Sequence, residues 1–330
     1  MLMSKPIVVV PGLVRKDVVA YLSEHVTVRQ WTEKEKMPKE VLKEWLREAD
    51  GLWSINHFTV DEDLVKDAPN LKVIAQASVG YDNIDIDALT ARHIPYGNTP
   101  DVLTETTAEL AFTLMAAASR RIYENAQFVK DGTWAERPSN IKGKDLSRMT
   151  LGIIGMGKIG VSVSRRARAF GMTVQYHNRN RRNDDSLLMT TYVSLGKLLT
   201  TSDVILVMAP LTEETYHLID AEAFEMMKET ALFVNVGRGK IVDTDALVHA
   251  LETGQIDYAA LDVVDPEPIG ADHPLLKTGK CLVVPHIGSF TDRTRKEMAM
   301  LTANNLIAGV HGKPLLTCVN ESVNYTVAEE

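Results

Sequence analysis

Short apolar runs alternate with amphipathic helical patterns along most of the chain. Helices are predicted at Val14–Glu24 and Pro38–Glu48. The runs that predict strands around them are Pro6–Val10, Val26–Gln30, Gly51–Ile55 and Leu71–Ala77. Strands that alternate with helices in this way are typical of a parallel sheet covered by helices.

The alternation resumes after a long helix predicted at Asp101–Arg121. The last helix is predicted at Thr291–Val310, ending near Gly309 and Gly312. The strands predicted between these two helices are Leu151–Ile154, Thr173–Tyr176, Val204–Met208, Ala231–Val236, Tyr258–Asp262 and Leu282–Pro285. The pattern predicts an α/β protein with two doubly wound parallel-sheet, Rossmann-like domains and a cleft between them. We expect the last helix to return to the first domain.

Composition narrows the class of protein without changing this picture. The 330 residues are 45% apolar and 24% charged, with a net charge of −8. That charge argues against a nucleic-acid partner, which usually requires a basic face. No apolar run is long enough to span a bilayer, and the apolar stretch Ile7–Val10 ends at Pro11 without a signal-peptide pattern. Cys281 and Cys318 form no metal-spaced cluster. We expect a cytoplasmic protein with no membrane partner and no metal.

A glycine motif opens the second set of strands and helices. Gly155, Gly157 and Gly160 form a GxGxxG pattern after an apolar strand and before a helix predicted at Lys158–Phe170. In that context the glycines allow a tight turn, a close approach of the backbone to a pyrophosphate, and close packing of helix on strand. The pattern predicts a dinucleotide site, and the alternative is a plain strand-to-helix turn.

The end of the next strand indicates which dinucleotide is bound. An NAD site normally places Asp or Glu there to bond the ribose 2′-OH, but this chain has the segment 176–182, Tyr-His-Asn-Arg-Asn-Arg-Arg. Arg179, with Arg181 or Arg182, is suited to pair with a 2′-phosphate. The segment therefore favours NADP, with NAD still possible. The alternative is that these arginines are ordinary loop charges.

Three further segments place reactive side chains just beyond predicted strands. Arg238 lies between two glycines, Glu267 follows Asp265-Pro266, and His286 follows Pro285. Arginine binds a carboxylate with two parallel hydrogen bonds, and histidine donates a proton near neutral pH. A carboxylate such as Glu267 on the other ring nitrogen would orient that histidine. Together they predict reduction of a 2-keto acid, although each residue alone is as easily a structural one.

The chain resembles the D-2-hydroxyacid dehydrogenases, in particular their glyoxylate/hydroxypyruvate reductase branch, over nearly its full length. The motifs that carry the resemblance are Ser-Val-Gly-Tyr-Asp-Asn at 78–83, Thr-Pro-Asp-Val-Leu at 99–103, Thr-Ala-Glu-Leu at 107–110, Gly-Met-Gly-Lys-Ile-Gly at 155–160, Val-Gly-Arg-Gly at 236–239, Leu-Asp-Val at 261–263 and Pro-His-Ile-Gly-Ser at 285–289.

The resemblance implies roles for particular residues. Arg238 is the implied carboxylate binder, His286 the proton donor and Glu267 its partner. Backbone N–H groups of Val79 and Gly80 are implied to hold the substrate carboxylate. Substrate contacts are also expected at Ile55 and, from the neighbouring subunit of a homodimer, at Trp134. Beyond the three glycines and Arg179, cofactor contacts are expected at Thr107, Met156, Lys158, Ile159, Asn178, Ala209, Pro210, Thr215, Val236, Gly237, Asp262, Gly288 and Ser289.

The same resemblance implies the domain organisation and the substrates. Residues 101–289 are expected to form the NADP-binding Rossmann domain, and residues 1–100 with 290–330 a flavodoxin-like substrate domain. The implied substrates are glyoxylate and hydroxypyruvate, with 2-ketogluconate as a further acceptor. Glu267 argues against formate dehydrogenases, which have Gln at that position. Two alternatives remain: a dinucleotide-sensing corepressor on the same fold, or a D-2-hydroxyacid dehydrogenase with another substrate.

Overall fold

The computed structural model describes residues 5–325. The chain divides after Leu103 and again before Thr291 into two compact units, of which the second is Thr104–Phe290. The first unit therefore contains both ends of the described chain. The expected domain boundaries, 100/101 and 289/290, lie within about three residues of these divisions.

The first unit is built on a five-stranded sheet. Its strands are β1 (Ile7–Val10), β2 (Thr27–Gln30), β3 (Gly51–Ser54), β4 (Val73–Gln76) and β5 (Tyr96–Gly97). They lie in the order β2-β1-β3-β4-β5, and every pairing is parallel. This is the flavodoxin-like order, whose direction reverses between β1 and β3. Its helices are α1 (Lys16–His25), α2 (Lys39–Leu46), α3 (Glu62–Val65), α4 (Ile86–Ala91) and the last helix of the chain, α12 (Asp292–Val310).

The second unit is built on a seven-stranded parallel sheet. Its strands are β6 (Thr150–Ile154), β7 (Thr173–His177), β8 (Thr191–Tyr192), β9 (Val204–Val207), β10 (Leu232–Asn235), β11 (Tyr258–Leu261) and β12 (Cys281–Val283). The order β12-β11-β10-β9-β6-β7-β8 is the Rossmann order with one added strand. Its helices are α5 (Thr104–Ser119), α6 (Ile122–Lys130), α7 (Lys158–Ala169), α8 (Leu195–Thr201), α9 (Ala221–Glu225), α10 (Thr244–Thr253) and α11 (Pro274–Lys277).

Each sheet has an apolar core on both faces. In β9, Val204 and Leu206 pack into one cluster while Ile205 and Val207 pack into another. In β1, Val9 faces one cluster and Val8 and Val10 face the other. Continuous apolar runs are expected of strands that are buried on both faces. Such runs in the sequence are therefore what predicted these strands. Within residues 5–325, no helix is long and apolar enough to cross a bilayer.

One predicted helix has different ends in the structure. The helix expected at Asp101–Arg121 begins only at Thr104, because Asp101 has a φ of 70°. After Ser119 the chain turns at Arg121, which has a φ of 50°, and α6 begins as a separate helix.

The last helix ends at Val310, as predicted, and Gly309 lies in its final turn. A Cβ atom at residue 309 would lie 2.4 Å from the Cβ of Val73, so this glycine lets α12 pack closely on β4. The left-handed residue beyond the helix is Gly312, with a φ of 66°.

Candidate active site

The carboxyl ends of the strands of the second unit carry most of the residues identified from the sequence. Along the sheet, β12, β11 and β10 lead into the segments that hold the three predicted catalytic residues. The strands β9, β6 and β7 lead into the segments predicted to bind the cofactor. Parallel strands that end at one edge bring their loops together there. The residues placed in this way are His286, Glu267, Arg238, Ala209, Pro210, Gly155, Asn178 and Arg179.

His286 and Glu267 form a hydrogen-bonded pair. Nδ1 of His286 lies 2.7 Å from Oε1 of Glu267. Burial raises the pKa of the Glu267 carboxyl, but the hydrogen bond from His286, the charge of His286 and weaker contributions including the charge of Arg238 outweigh it, so the pKa lies below its ordinary value. Glu267 is therefore an ionised carboxylate at neutral pH. Since Nδ1 is bound to Glu267, Nε2 is the nitrogen available to a substrate.

Asp262, at the end of β11, fixes the loop that carries His286. Its side-chain oxygens accept hydrogen bonds from the N–H groups of Ile287 (2.6 Å) and Gly288 (2.9 Å). Its backbone oxygen accepts one from the N–H of His286 (2.9 Å). Burial raises the pKa of Asp262, while these two side-chain bonds act in the opposite direction. His286 itself has a φ of 53°, a left-handed conformation that costs about 1–3 kcal/mol and is common at functional sites.

Arg238 lies in a turn that Asn235 organises from inside the sheet. The Asn235 side chain accepts from the N–H of Gly237 (3.0 Å) and donates to the backbone oxygen of Arg238 (3.0 Å). A Cβ at Gly239 would lie 2.0 Å from the backbone oxygen of Val264, so only glycine allows this close approach. The turn is thus held against the segment that leads to Glu267.

The glycine turn has the form that a dinucleotide pyrophosphate requires. Gly155 has a φ of 99°, and a Cβ there would lie 2.4 Å from the backbone nitrogen of Ala209. A Cβ at Gly157 would meet nothing within 4 Å, which leaves open space at the start of α7. No side chain caps this helix terminus, whose N–H groups and dipole suit a phosphate. At Gly160 a Cβ would lie 3.0 Å from the backbone oxygen of Gly155. The glycine turn and the start of α7 therefore fit the pyrophosphate of a dinucleotide cofactor.

The three arginines after β7 differ in their surroundings. Arg181 pairs with Asp185 and Arg182 pairs with Asp184. The side chain of Arg179 is exposed, and its charge acts at longer range on Glu214. Asn178 accepts a 2.6 Å hydrogen bond from the N–H of Met156, so it supports the glycine turn.

The remaining predicted cofactor residues lie close to these elements. Thr107, on α5, is close to Gly288: a Cβ added to that glycine would lie 3.4 Å from its methyl carbon. Thr215 donates a 2.7 Å hydrogen bond to the backbone oxygen of Pro210, just beyond β9. Val236 and Gly237 follow β10, Lys158 and Ile159 form the first turn of α7, and Ser289 follows Gly288.

In the first unit, Val79 and Gly80 follow β4. Their backbone N–H groups donate to no acceptor within residues 5–325. Two successive amides in a turn form a concave site for an anion. Nearby in the sheet, at the β1/β3 reversal, is a cavity of about 300 Å³. Its lining residues include Ile55, Ser54, Asn56, Gln76, Arg15 and Arg295.

Trp134 lies in the second unit, in a short 3₁₀ turn after α6. Its side chain is 64% exposed, and α6 buries none of its residues. Ile122, Tyr123 and Val129 on α6 are also more than half exposed. Trp134 is therefore largely open to solvent within the single chain.

Sequence reasoning missed several residues that support the site. Asn235 comes directly before the Val-Gly-Arg-Gly motif at 236–239, whose predicted role rested on its arginine. The signal in the sequence was an asparagine just before a glycine-containing turn. Asp184 gave no signal, because its pairing with Arg182 depends on the path of the loop. The buried hydroxyl of Ser54, which has no hydrogen-bond partner among the described residues, was missed for the same reason.

The chain is similar in sequence to known proteins over most of its length. The family model described as the NAD-binding domain of D-isomer-specific 2-hydroxyacid dehydrogenases matches residues 112–288. A glyoxylate reductase of Korarchaeum cryptofilum is 43% identical and covers 97% of each chain. Glyoxylate/hydroxypyruvate reductase B of Escherichia coli is 41% identical over 97% of this chain and 99% of its own.

A solved structure shows the same likeness in three dimensions. The NADPH-dependent glyoxylate/hydroxypyruvate reductase of Sinorhizobium meliloti, in complex with NADP and malonate, has a TM-score of 0.89 and 31% sequence identity. The alignment covers 99% of this chain and all of that one. Fold and site define a dinucleotide-dependent oxidoreductase. The chain belongs to the D-isomer-specific 2-hydroxyacid dehydrogenase family.

Proposed function

We propose that this enzyme reduces small 2-keto acids, chiefly glyoxylate and hydroxypyruvate, to D-2-hydroxy acids, with NADPH as the preferred cofactor. The observation that carries the proposal is the His286–Glu267 pair, in a site whose neighbouring loop presents Arg238. The names of the relatives from Korarchaeum and Escherichia support the choice of substrates.

In this proposal His286 supplies the proton. A bound nicotinamide would supply hydride to the carbonyl carbon, and the carbonyl oxygen would then need a proton. Nε2 of a protonated His286 donates it, because Nδ1 is held by Glu267. The ionised carboxylate of Glu267 stabilises the positive ring before transfer and keeps it in one orientation. In the reverse direction the neutral ring accepts the proton.

Arg238 is proposed to bind and orient the substrate carboxylate. A guanidinium group matches a carboxylate with two parallel hydrogen bonds, which fixes the position of the adjacent carbonyl. The N–H groups of Val79 and Gly80, in the first unit, are proposed to bind a carboxylate as well. Their lack of an acceptor within the described chain supports that assignment, because amides left without a partner favour an anion.

The preference for NADPH is proposed from the end of β7. No Asp or Glu stands at the position where an NAD site bonds the ribose 2′-OH. Arg179 is exposed in that segment and suits a 2′-phosphate. The Sinorhizobium relative, which is NADPH-dependent and was solved with NADP, supports the same choice.

The cavity in the first unit supports a longer substrate such as 2-ketogluconate. Its volume of about 300 Å³ is at the lower end of the range usual for small-molecule sites, about 300–1,000 Å³. Glyoxylate, a two-carbon acid, would leave much of such a site unfilled. Ser54 is one of the residues that line the cavity, and its hydroxyl, which is itself buried, has no hydrogen-bond partner among the described residues. A rotation about its Cα–Cβ bond is needed before this hydroxyl can bond a substrate hydroxyl.

We propose a homodimer in which Trp134 of one subunit covers the substrate of the other. The exposed apolar side chains of α6 and the high exposure of Trp134 support this arrangement. Mixing His286→Ala subunits with Trp134→Ala subunits tests it. Mixed dimers carry one site that lacks both substitutions, so activity should exceed that of either variant alone. No recovery in dimers shown to have exchanged subunits would contradict the shared site.

The function is tested by kcat/KM for glyoxylate, hydroxypyruvate, 2-ketogluconate and pyruvate, each with NADPH and NADH. We expect turnover with the first two acids, and higher kcat/KM with NADPH. Arg238→Ala should abolish turnover while dinucleotide binding remains. Tight NADPH binding with no turnover on any 2-keto acid would contradict the enzyme and favour the corepressor alternative.

A further inference from the structure

The backbone N–H and carbonyl of Met156, in the middle of the glycine turn, are held from outside the turn by two side chains. Asn178 accepts a hydrogen bond from its N–H (2.6 Å) and lies 3.4 Å from its carbonyl oxygen. Nη1 of Arg182 donates to the same oxygen at 3.1 Å. Both residues come from the segment after β7. That segment therefore fixes the peptide that leads into α7.

Arg182 is in turn held by Asp184. Its Nε and Nη2 donate to the two carboxylate oxygens of Asp184, each at 2.8 Å. Such a two-bond contact sets the plane of the guanidinium group. Hydrogen bonding to Asp184 raises the pKa of Arg182, and hydrogen bonding to Arg182 lowers the pKa of Asp184. Both partners are therefore charged at neutral pH.

The backbone of Arg182 is fixed as well. Its N–H donates to the hydroxyl oxygen of Tyr176 at 2.9 Å, and Tyr176 is buried. The Tyr176 hydroxyl also contacts the buried Asp185 at 3.4 Å. Asp185 holds Arg181, whose Nε lies 2.7 Å from Oδ2 of Asp185. The loop thus neutralises two of its three arginines with its own carboxylates.

A 2′-phosphate that approached Arg182 would also approach the carboxylate of Asp184. Repulsion between the two anions would cancel much of the attraction to the guanidinium. Among residues 5–325, no carboxylate lies within hydrogen-bonding distance of Arg179. The charge of Arg179 acts on Glu214 at longer range.

We propose that Arg182, oriented by Asp184, is a positioning residue that holds the Met156 carbonyl of the glycine turn, and that discrimination of NADPH from NADH rests on Arg179. This inference deepens the proposed function, on whose dinucleotide site it rests. Arg182 thereby affects the binding of the pyrophosphate, which NADH and NADPH share. The 2′-phosphate, which only NADPH has, is bound by Arg179.

The test is a comparison of equilibrium dissociation constants in the full-length protein, measured by fluorescence titration or calorimetry. The ligands are NADH, NADPH, ADP-ribose and adenosine. Arg182→Met should weaken NADH, NADPH and ADP-ribose by the same factor of about ten, the value of a charge-assisted hydrogen bond. Adenosine, which lacks the pyrophosphate, should bind as in the wild type. A general disturbance of the site would weaken adenosine too.

Arg179→Met is the matched variant in the same loop. It should weaken NADPH by about tenfold or more and leave NADH and ADP-ribose unchanged. Asp184→Asn should resemble Arg182→Met with a smaller factor, since Asn still offers one acceptor to Arg182.

Two results would overturn the inference. One is a selective loss of NADPH affinity in Arg182→Met. The other is a selective gain of NADPH affinity in Asp184→Asn, which would mean that Asp184 restrains a phosphate ligand. Neither result would affect the proposed reaction. That proposal fails separately, if the wild-type protein binds NADPH but turns over no 2-keto acid.

Discussion

The two units share one architecture and differ in what their strand ends present. The first unit presents backbone N–H groups at Val79 and Gly80, together with a cavity lined largely by neutral polar and apolar side chains. The second presents ionisable side chains, with Glu267 bound to His286 and Asp262 bound to the loop that carries His286. Similar parallel sheets thus present backbone amides without an acceptor among the described residues in one unit, and a hydrogen-bonded histidine–carboxylate pair in the other. Architecture sets where loops meet, and the side chains set what they do.

The largest effect should come from removing the acid–base group of the second unit. His286→Gln should lower kcat for glyoxylate reduction by about 10²–10⁴-fold, the usual contribution of a general acid. Steady-state kinetics with unchanged NADPH affinity and unchanged thermal stability would show that only proton transfer is lost. A variant with near wild-type kcat would contradict the role of His286.

A second prediction concerns the hydrogen bond between Glu267 and His286. Glu267→Gln should lower kcat for glyoxylate reduction by roughly tenfold, less than His286→Gln does, because the ring is kept but loses its charge-assisted hydrogen bond to the carboxylate. Steady-state kinetics of the two variants measure this difference. A kcat equal to that of the wild type would contradict the role of Glu267.

The same pair has a defined effect on stability. The pKa of Glu267 is lowered on folding, so its contribution is present above the unfolded-state pKa and is lost as pH falls through the folded-state value. The stability difference between wild type and Glu267→Gln should therefore shrink in acid, in denaturant titrations at several pH values. A difference that stayed constant with pH would contradict the assignment.

A third prediction tests whether the first unit depends on close packing rather than on charge. Gly309→Ala should destabilise the protein by about 1–3 kcal/mol, because the new methyl group would overlap Val73. Thermal or denaturant unfolding measures it. Gly312→Ala is the control for backbone strain, since a Cβ there meets nothing within 4 Å although φ is positive. Equal or greater stability in Gly309→Ala would show that α12 can shift without cost.

The smallest effect should come from the cavity of the first unit. Ser54→Ala should lower kcat/KM for 2-ketogluconate by about two- to tenfold, the range of one neutral hydrogen bond. Glyoxylate, which has no hydroxylated chain, should be turned over as before. An equal loss for both acids would place Ser54 outside substrate recognition and weaken the contrast between the units.

The sequence predicted most of this organisation because its signals are local. Apolar runs located ten of the strands, since strands buried on both faces must be continuously apolar. It missed β5 and β8, which have two residues each and no periodicity to detect. The glycine turn could be predicted because a separate feature of the backbone requires each of its glycines. The helix break at Arg121 could not be predicted, because nothing in the helical pattern around it indicates a left-handed residue.

By itself, the sequence determined the alternation of strands and helices, the glycine turn, and the residues proposed as acid, as partner of the acid and as carboxylate binder. Only the tertiary structure decided that Asp184 binds Arg182, that Asp262 binds the loop of His286, and that Gly309 lies against Val73. Those outcomes depend on which groups from distant segments lie within about 3 Å of one another, the range in which hydrogen bonds form. Residue type and spacing in one chain do not specify such distances.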